Sequence, residues 1–240
     1  MSISPRRVRA IFRKELREYR RHASIVISVA IFPTVFLIQP LVVALVAPRT
    51  SVETLGHEHL LLYMLAIPVL APAMLAAYAV AGERQQGTLE PALTTPVSRE
   101  EFLIGKALAV LVPSVAIAYA VYAVFLVLVV LFAHPGIASA LIDVPDIGIQ
   151  VLLTPLLATW SNWVGLAIST RSGDVRVAQQ FSILANIPLV LVTSFIAFDV
   201  IHVALGLAVG LWAVLIVGDG LGWRIVAPLF DRERLITGTS

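Results

Sequence analysis

Residues 60–82 read LLLYMLAIPVLAPAMLAAYAVAG, a run with no charged side chain. At about 1.5 Å per residue in an α-helix, this run is long enough to cross a hydrocarbon core of about 30 Å. Five other runs have the same character, and the predicted spans are 24–47, 60–82, 107–133, 147–170, 177–198 and 201–222. The sequence therefore predicts an all-α membrane protein with six transmembrane helices.

The charged residues lie between the spans and are distributed unequally. No span contains Lys, Arg or Glu, and the single Asp, Asp219, lies in the last turn of the sixth. All but one of the 17 Lys and Arg residues fall on alternate connections, the exception being Arg49. Since basic residues accumulate on the cytoplasmic side of membrane proteins, both termini are predicted to be cytoplasmic.

The composition supports one membrane domain. The chain has 240 residues, of which 59% are hydrophobic and 13% charged, and little sequence lies outside the spans. We therefore expect a single membrane domain, 1–240. The expected location is the cell membrane, as a prokaryotic inner membrane or a plasma membrane. The basic balance, with a pI near 9.2, indicates contact with anionic membrane lipids rather than nucleic acid. The absence of cysteine excludes disulfides, thiolate metal sites and a Cys nucleophile.

Residues 5–23 have the pattern of an amphipathic interfacial helix. One apolar stripe recurs at helical spacing, formed by Val8, Ile11, Phe12, Leu16 and Tyr19. Basic residues occupy most of the remaining surface, so apolar burial and attraction to anionic lipid would both bind this helix. Two interpretations stay open: the helix only places positive charge on the cytoplasmic side, or it also contacts a partner protein.

The connection 83–106 is the most structured of the loops. Ser98 followed by Glu101 forms a capping-box pattern, and Val97 and Phe102 are placed for a hydrophobic staple. A helix is predicted to start here and to continue through Lys106 into the third span. Before it, residues 87–93 have the pattern of a short helix, and the following Thr94-Thr95-Pro96 would end it. This short helix is the candidate coupling helix between spans two and three.

No constellation of residues indicates catalysis. The chain has no G-x-x-x-x-G-K-[ST] nucleotide loop and no H-E-x-x-H motif, and we predict no catalytic residue and no metal site. The segment His57-Glu58-His59 contains metal-ligating residue types but lacks a third ligand at helical spacing, which favours a solvated loop. Within the spans, Asn186, Thr193 and Ser194 either join helices or line a substrate pathway.

Three stretches resemble the ABC-2 type transporter permeases. The first consists of Glu83, Gly87-Thr88-Leu89-Glu90, Thr94-Thr95-Pro96-Val97-Ser98-Arg99 and Gly105-Lys106. The other two are Arg171-Ser172-Gly173-Asp174-Val175-Arg176 with Ala178-Gln179-Gln180, and Phe230-Asp231-Arg232-Glu233-Arg234-Leu235. With the basic opening helix and the six spans, the resemblance covers the whole chain.

The resemblance implies a permease subunit that pairs with a separate ATP-binding ATPase. ATP and Mg²⁺ would then bind the partner, and this chain would carry no cofactor and would not itself be an enzyme. Two permease copies, identical or related, would form a twelve-span pore that exports a hydrophobic compound, lipid or drug. The ATPase-coupling residues that it implies are Glu83, Thr88, Glu90, Ser98 and Arg99 after span two, with Asp174 and Arg176 after span four.

Two functions from other classes remain open on the residues alone. An intramembrane enzyme acting on lipid or peptide would need an acid–base pair at matching depth in two spans, and the spans show none. A membrane scaffold that transports nothing would leave any ATPase unaffected by changes at Glu90 or Arg99.

Overall fold

A computed structural model describes residues 3–46, 59–89, 91, 97–198 and 205–231. These residues form helices and connecting turns, with no β-strand among them. The helices are α1 (Pro5–Arg21), α2 (Ala23–Val46), α3 (Leu60–Gln85), α4 (Arg99–Phe132), α5 (Pro135–Leu141), α6 (Val144–Arg171), α7 (Val175–Ala197) and α8 (Leu205–Val226). A 3₁₀ turn, Ala227–Phe230, follows α8.

The prediction of six spanning helices is confirmed. Six helices in the described part of the chain are long and apolar enough to cross a membrane. They are α2, α3, α4, α6, α7 and the segment Val209–Phe230, which contains most of α8. Residues 201–204, at the predicted start of the sixth span, lie outside the described residues. The helix α5, between the third and fourth spans, was not predicted.

The helix α3 lies at the centre of the bundle. In its most apolar stretch of 18 residues, 94% of the residues are buried. In the corresponding stretches of α2 and α4, 22% are buried. It packs on α2, α4, α6 and α7. Its alanines, including Ala73 and Ala76, let these neighbours approach closely, as small residues do in membrane helix packing.

The hydrogen bonding of α3 changes along its length. It begins as a 3₁₀ helix (Leu60–Leu65), continues as an α-helix (Ala66–Ala77) and ends in a π-helical turn (Tyr78–Gly82) before Glu83–Gln85. A π-turn disturbs the regular backbone ladder, and polar backbone groups inside a bundle need partners. Ser169 of α6 supplies them, because its Oγ accepts from the N–H groups of Val80 and Ala81 at 3.1 and 3.0 Å.

The capping box at the start of α4 is confirmed. The Ser98 Oγ accepts from the Glu101 N–H at 3.2 Å, and the Glu101 carboxylate accepts from the Ser98 N–H at 3.0 Å. From this cap α4 runs without interruption through Lys106 to Phe132. Val97 and Phe102 pack in the same apolar cluster, as the staple pattern predicts. Glu90 and residues 92–96 of the candidate coupling helix lie outside the described residues.

The apolar stripe of α1 lies against protein. Tyr19, Ile11 and Phe12 pack in the apolar cluster that also contains residues of α3 and α4. A Cβ atom on Gly105 of α4 would lie 2.6 Å from the Ile11 Cγ2, so only glycine permits this approach. The structure therefore places α1 on the ends of α3 and α4.

A substitution at Gly165 of α6 tests the close packing of α6 against α3. A Cβ atom there would lie 2.6 Å from the Ala76 Cβ, so Gly165→Val should force α3 and α6 apart and cost about 1–3 kcal/mol of stability. The measurement is the melting temperature in detergent. Gly148→Val on the same helix is the control, because a Cβ atom at Gly148 meets nothing within 4 Å. Equal melting temperatures for the two variants would contradict this packing.

Candidate functional site

Most of the predicted coupling residues lie at one end of the bundle. This end consists of α1, the last turn of α3, the first two turns of α4 and the connection between α6 and α7. We call it the basic end, since α1 and these connections carry most of the basic residues. Ion pairs and hydrogen bonds join its four parts.

A buried ion cluster forms the centre of the basic end. The Lys106 ammonium of α4 lies 3.0 Å from the Glu15 carboxylate of α1 and 2.9 Å from the Glu83 carboxylate of α3. It also donates to the Ala79 carbonyl in the π-turn at 2.5 Å and lies over the Phe102 ring. Lys106 is fully buried, and Glu15 and Glu83 are each 2% exposed. Because such charges need partners once they leave water, this cluster fixes how α1, α3 and α4 meet.

Lys14 closes the cluster from the surface. Its ammonium pairs with Glu83 and lies 3.2 Å from both Glu15 and Glu18. Partial burial disfavours the charge, but the three carboxylates outweigh it and hold the pKa of Lys14 well above its usual value. The carboxylate oxygens of Glu15, Glu18 and Glu83 lie within 4.8 Å of one another, with two ammonium groups among them. The lysines therefore provide the positive charge that an acidic group of this kind needs.

A second contact joins the start of α1 to the cap of α4. The Glu101 carboxylate accepts from the Ser4 N–H and from the Arg7 guanidinium, each at 2.7 Å. The same carboxylate closes the capping box with Ser98. Glu101 thus serves as a cap and as a clamp, which makes Ser98 a structural residue of the coupling segment.

The end of α3 is tied to the connection between α6 and α7. The Arg84 guanidinium donates to the Ser172 and Thr170 carbonyls at 2.6 and 3.0 Å. These carbonyls end α6, where a positive charge also complements the helix dipole. Gln85 donates to Asp174 at 2.8 Å, and Asp174 caps α7 by accepting from the Arg176 N–H at 2.6 Å. The two connections predicted to contact an ATPase are therefore in direct contact with each other.

The start of α4 is also tied to the segment after α8. Arg99 pairs with Asp231 at 2.6 Å, and the rings of Phe102 and Phe230 lie 6.1 Å apart. Both ionic groups are partly exposed, so the pair contributes modestly to stability. Its position connects the coupling segment to the closing stretch, of which residues 232–235 lie outside the described residues.

The predicted coupling residues fall into two groups. Glu83, Ser98, Arg99 and Asp174 hold the basic end together through the contacts above. The Thr88 and Arg176 side chains are exposed. The Thr88 hydroxyl donates only to the Glu83 carbonyl at 3.4 Å, and neither side chain forms an ion pair within the described part of the chain. Glu15, Glu101 and Lys106 were not predicted as site residues. The sequence shows that each is charged, but it does not show which distant residue forms an ion pair with it.

The predicted pathway residues lie on α7. Asn186 is fully buried and donates to the Ser182 carbonyl at 2.8 Å, while its Oδ1 and the Ser182 Oγ have no partner among the described residues. Thr193 is buried and donates to the Val190 carbonyl at 2.9 Å. Ser194 is half-buried. Asn186 and Thr193 therefore bond to their own helix, and Asn186 and Ser182 leave unpaired oxygens on its buried side.

At the opposite end, a polar contact joins the start of α3 to the start of α6. His59 Nδ1 lies 2.9 Å from Asp146 Oδ1 at the start of α6. Asp146 is buried, and the Tyr122 hydroxyl nearby has no partner in the described part of the chain. His59 is therefore half-buried, and a buried carboxylate holds its ring. His57 and Glu58 lie outside the described residues.

Apolar grooves open on the sides of the bundle as far as the structure describes it, and two of them lie between α6 and α8 and between α2 and α4. The α6–α8 groove, of about 580 Å³, lies between Trp160 and Trp163 of α6 and the glycines Gly218 and Gly222 of α8. The α2–α4 groove, of about 390 Å³, is lined by Tyr19, Val29, Pro33, Leu75, Pro113 and Ile117, among others. None of the predicted pathway residues lines either groove.

Lys106→Met tests the ion cluster. The change leaves Glu15 and Glu83 buried with one ammonium fewer, and breaking a buried pair in this way costs about 3–5 kcal/mol. The melting temperature in detergent should fall clearly below that of the native chain. The double variant Lys106→Met/Glu83→Gln should recover part of the loss, because it removes one unpaired charge. A Lys106→Met variant that melts like the native chain would contradict the role of the cluster.

Comparison with known proteins agrees with the architecture. The family described as ABC-2 family transporter protein matches residues 9–222. No curated protein matches the chain. The matched range contains the six spanning helices almost completely, together with both connections of the basic end. The chain belongs to the ABC-2 transporter family and is a multi-pass membrane permease of the ABC type.

Proposed function

We propose that this chain exports a hydrophobic or lipid-like compound, or a drug, using ATP that a separate ATPase subunit hydrolyses. The observation that carries the proposal is the linkage between the two connections of the basic end, through Arg84 and Gln85 on one side and residues 170–174 on the other. The basic end is cytoplasmic in this proposal, as the basic residues predict. ATP and Mg²⁺ bind the partner subunit.

The exposed residues next to this linkage form the docking surface. Thr88 follows the end of α3, and Arg176 lies in the first turn of α7. An ATPase that contacts both would push on α3 and α7 together, since Gln85 and Asp174 are hydrogen-bonded. Glu90, two residues after Thr88 in the sequence, is a further docking candidate.

The ion cluster transmits this push into the bundle. Glu83 lies in the last turn of α3, directly after the π-turn, and it shares Lys106 with α1. A displacement of α3 therefore carries α1 and α4 with it, and rigid elements of this kind convert a local contact into a bundle motion. Glu83 and Lys106 act here as positioning residues.

The substrate pathway in the proposal follows the buried side of α7. The unpaired oxygens of Ser182 and Asn186 lie one turn apart on this helix, and Thr193 continues the same side. Unpaired acceptors inside a bundle are costly unless a ligand or water reaches them. A second copy of the permease, or a related chain, would complete the pathway.

Docking is tested by Thr88→Arg in the tagged full-length chain. A large charged side chain in the contact should reduce the amount of ATPase that co-purifies from the native membrane by roughly tenfold. The control is Ser139→Arg, a similar change at an exposed site on α5, at the opposite end. The ATPase should be retained by the native chain and by the control. If none of the three captures an ATPase, the proposal fails; if all capture it equally, docking lies elsewhere.

A further inference from the structure

The arginines near the end of α1 form a concave cluster. Arg13, Arg17, Arg20 and Arg21 line it together with Leu16, and all four guanidinium side chains are exposed. Within the described part of the chain, none of the four forms an ion pair, whereas Arg7 and Lys14 on the same helix do. The cluster is therefore a concentrated positive charge that the fold leaves free for a ligand.

The α2–α4 groove opens next to this cluster. Leu16 and Arg20 line both concavities, so the charged surface passes directly into the apolar one. The groove continues between α2 and α4, with Leu75 of the central helix among its lining residues. Its walls include Pro33 and Pro113, whose rings offer no N–H donor. A cationic mouth on an apolar groove is complementary to a molecule with an anionic head and a hydrocarbon chain.

Tyr19 connects the groove to the ion cluster. Its side chain lines the groove and is 7% exposed, while its hydroxyl has no partner among the described residues. Burial and the nearby carboxylates of Glu15, Glu83 and Glu18 raise the pKa of Tyr19 well above its usual value, so the hydroxyl keeps its proton. The groove thus shares a wall with the cluster that joins α1, α3 and α4.

We propose that this is a binding site for an anionic glycerophospholipid of the surrounding membrane. One acyl chain occupies the α2–α4 groove, and the headgroup phosphate lies on Arg17 and Arg20. Guanidinium groups pair with phosphate oxygens through two parallel hydrogen bonds, and basic residues next to a membrane attract anionic lipids. A lipid bound there fills the space between α1 and α2 and stabilises the position of α1. The site is separate from the proposed substrate pathway on α7.

The test measures lipid binding to the full chain in detergent by native mass spectrometry. The probes are dioleoyl phosphatidylglycerol, which is anionic, and dioleoyl phosphatidylcholine, which is not. The native chain should retain phosphatidylglycerol at least about tenfold more tightly. Arg17→Gln/Arg20→Gln should lose this preference. Arg6→Gln/Arg9→Gln should keep it, because it removes two exposed arginines of the same helix that line neither concavity.

A second pair of variants tests the groove without changing charge. Ala30→Trp places an indole in the groove, whereas Ile31→Trp places one on an exposed part of α2 that does not line it. Ala30→Trp should weaken phosphatidylglycerol binding, and Ile31→Trp should not. Their melting temperatures without lipid show whether both variants fold.

Several results would overturn the proposal. Equal binding of the two lipids would show that the cluster does not recognise the anionic headgroup. Equal losses in the two arginine pairs would show diffuse attraction rather than a site. If Ala30→Trp leaves phosphatidylglycerol binding unchanged, the acyl chain does not occupy the groove. Arginine variants that keep the lipid but no longer retain the ATPase would show that the cluster is a protein-docking surface.

Discussion

The buried ammonium of Lys106 is the constraint on which the basic end depends. A charge that is fully buried has to be neutralised where it lies, and only Glu15 and Glu83 approach it closely in the described structure. One carboxylate belongs to α1 and the other to α3, whereas Lys106 belongs to α4. The three helices are therefore held in one arrangement by electrostatics, and the apolar contact of Ile11 with Gly105 follows from it.

The rest of the fold extends this arrangement outward from α3. At the π-turn of the central helix, backbone N–H groups donate to Ser169 of α6. Arg84, at the end of the central helix, donates to a carbonyl at the end of α6. Each of these contacts satisfies backbone groups that lipid could not. As a result, the ion cluster and the centre of the bundle are both in contact with α3. In the proposed function, this contact lets a separate ATPase subunit that docks next to the end of α3 act on the whole bundle.

The sequence predicts those features that depend on local pattern. The six spans follow from the length of uncharged runs, and the capping box follows from Ser98 and Glu101 three residues apart. The sequence does not predict which charged side chains form ion pairs, since Glu15 and Lys106 are 91 positions apart. Nor does it predict the π-turn, because Ser169 and Lys106, from other helices, supply its backbone partners. The clamp of Glu101 on Arg7 was missed for the same reason.

The ion cluster should make α1 and α4 move as one unit, and the distance between these two helices can be measured. The chain has no cysteine, so Ala10→Cys on α1 and Glu100→Cys on α4, both exposed, can each carry one spin label. Double electron–electron resonance gives the distance between the two labels. It is measured on the complex with the ATPase, once without nucleotide and once trapped with ATP. One unchanged distance distribution is expected in both states, and Lys106→Met should broaden it. A second distance that appears only with ATP would contradict this expectation.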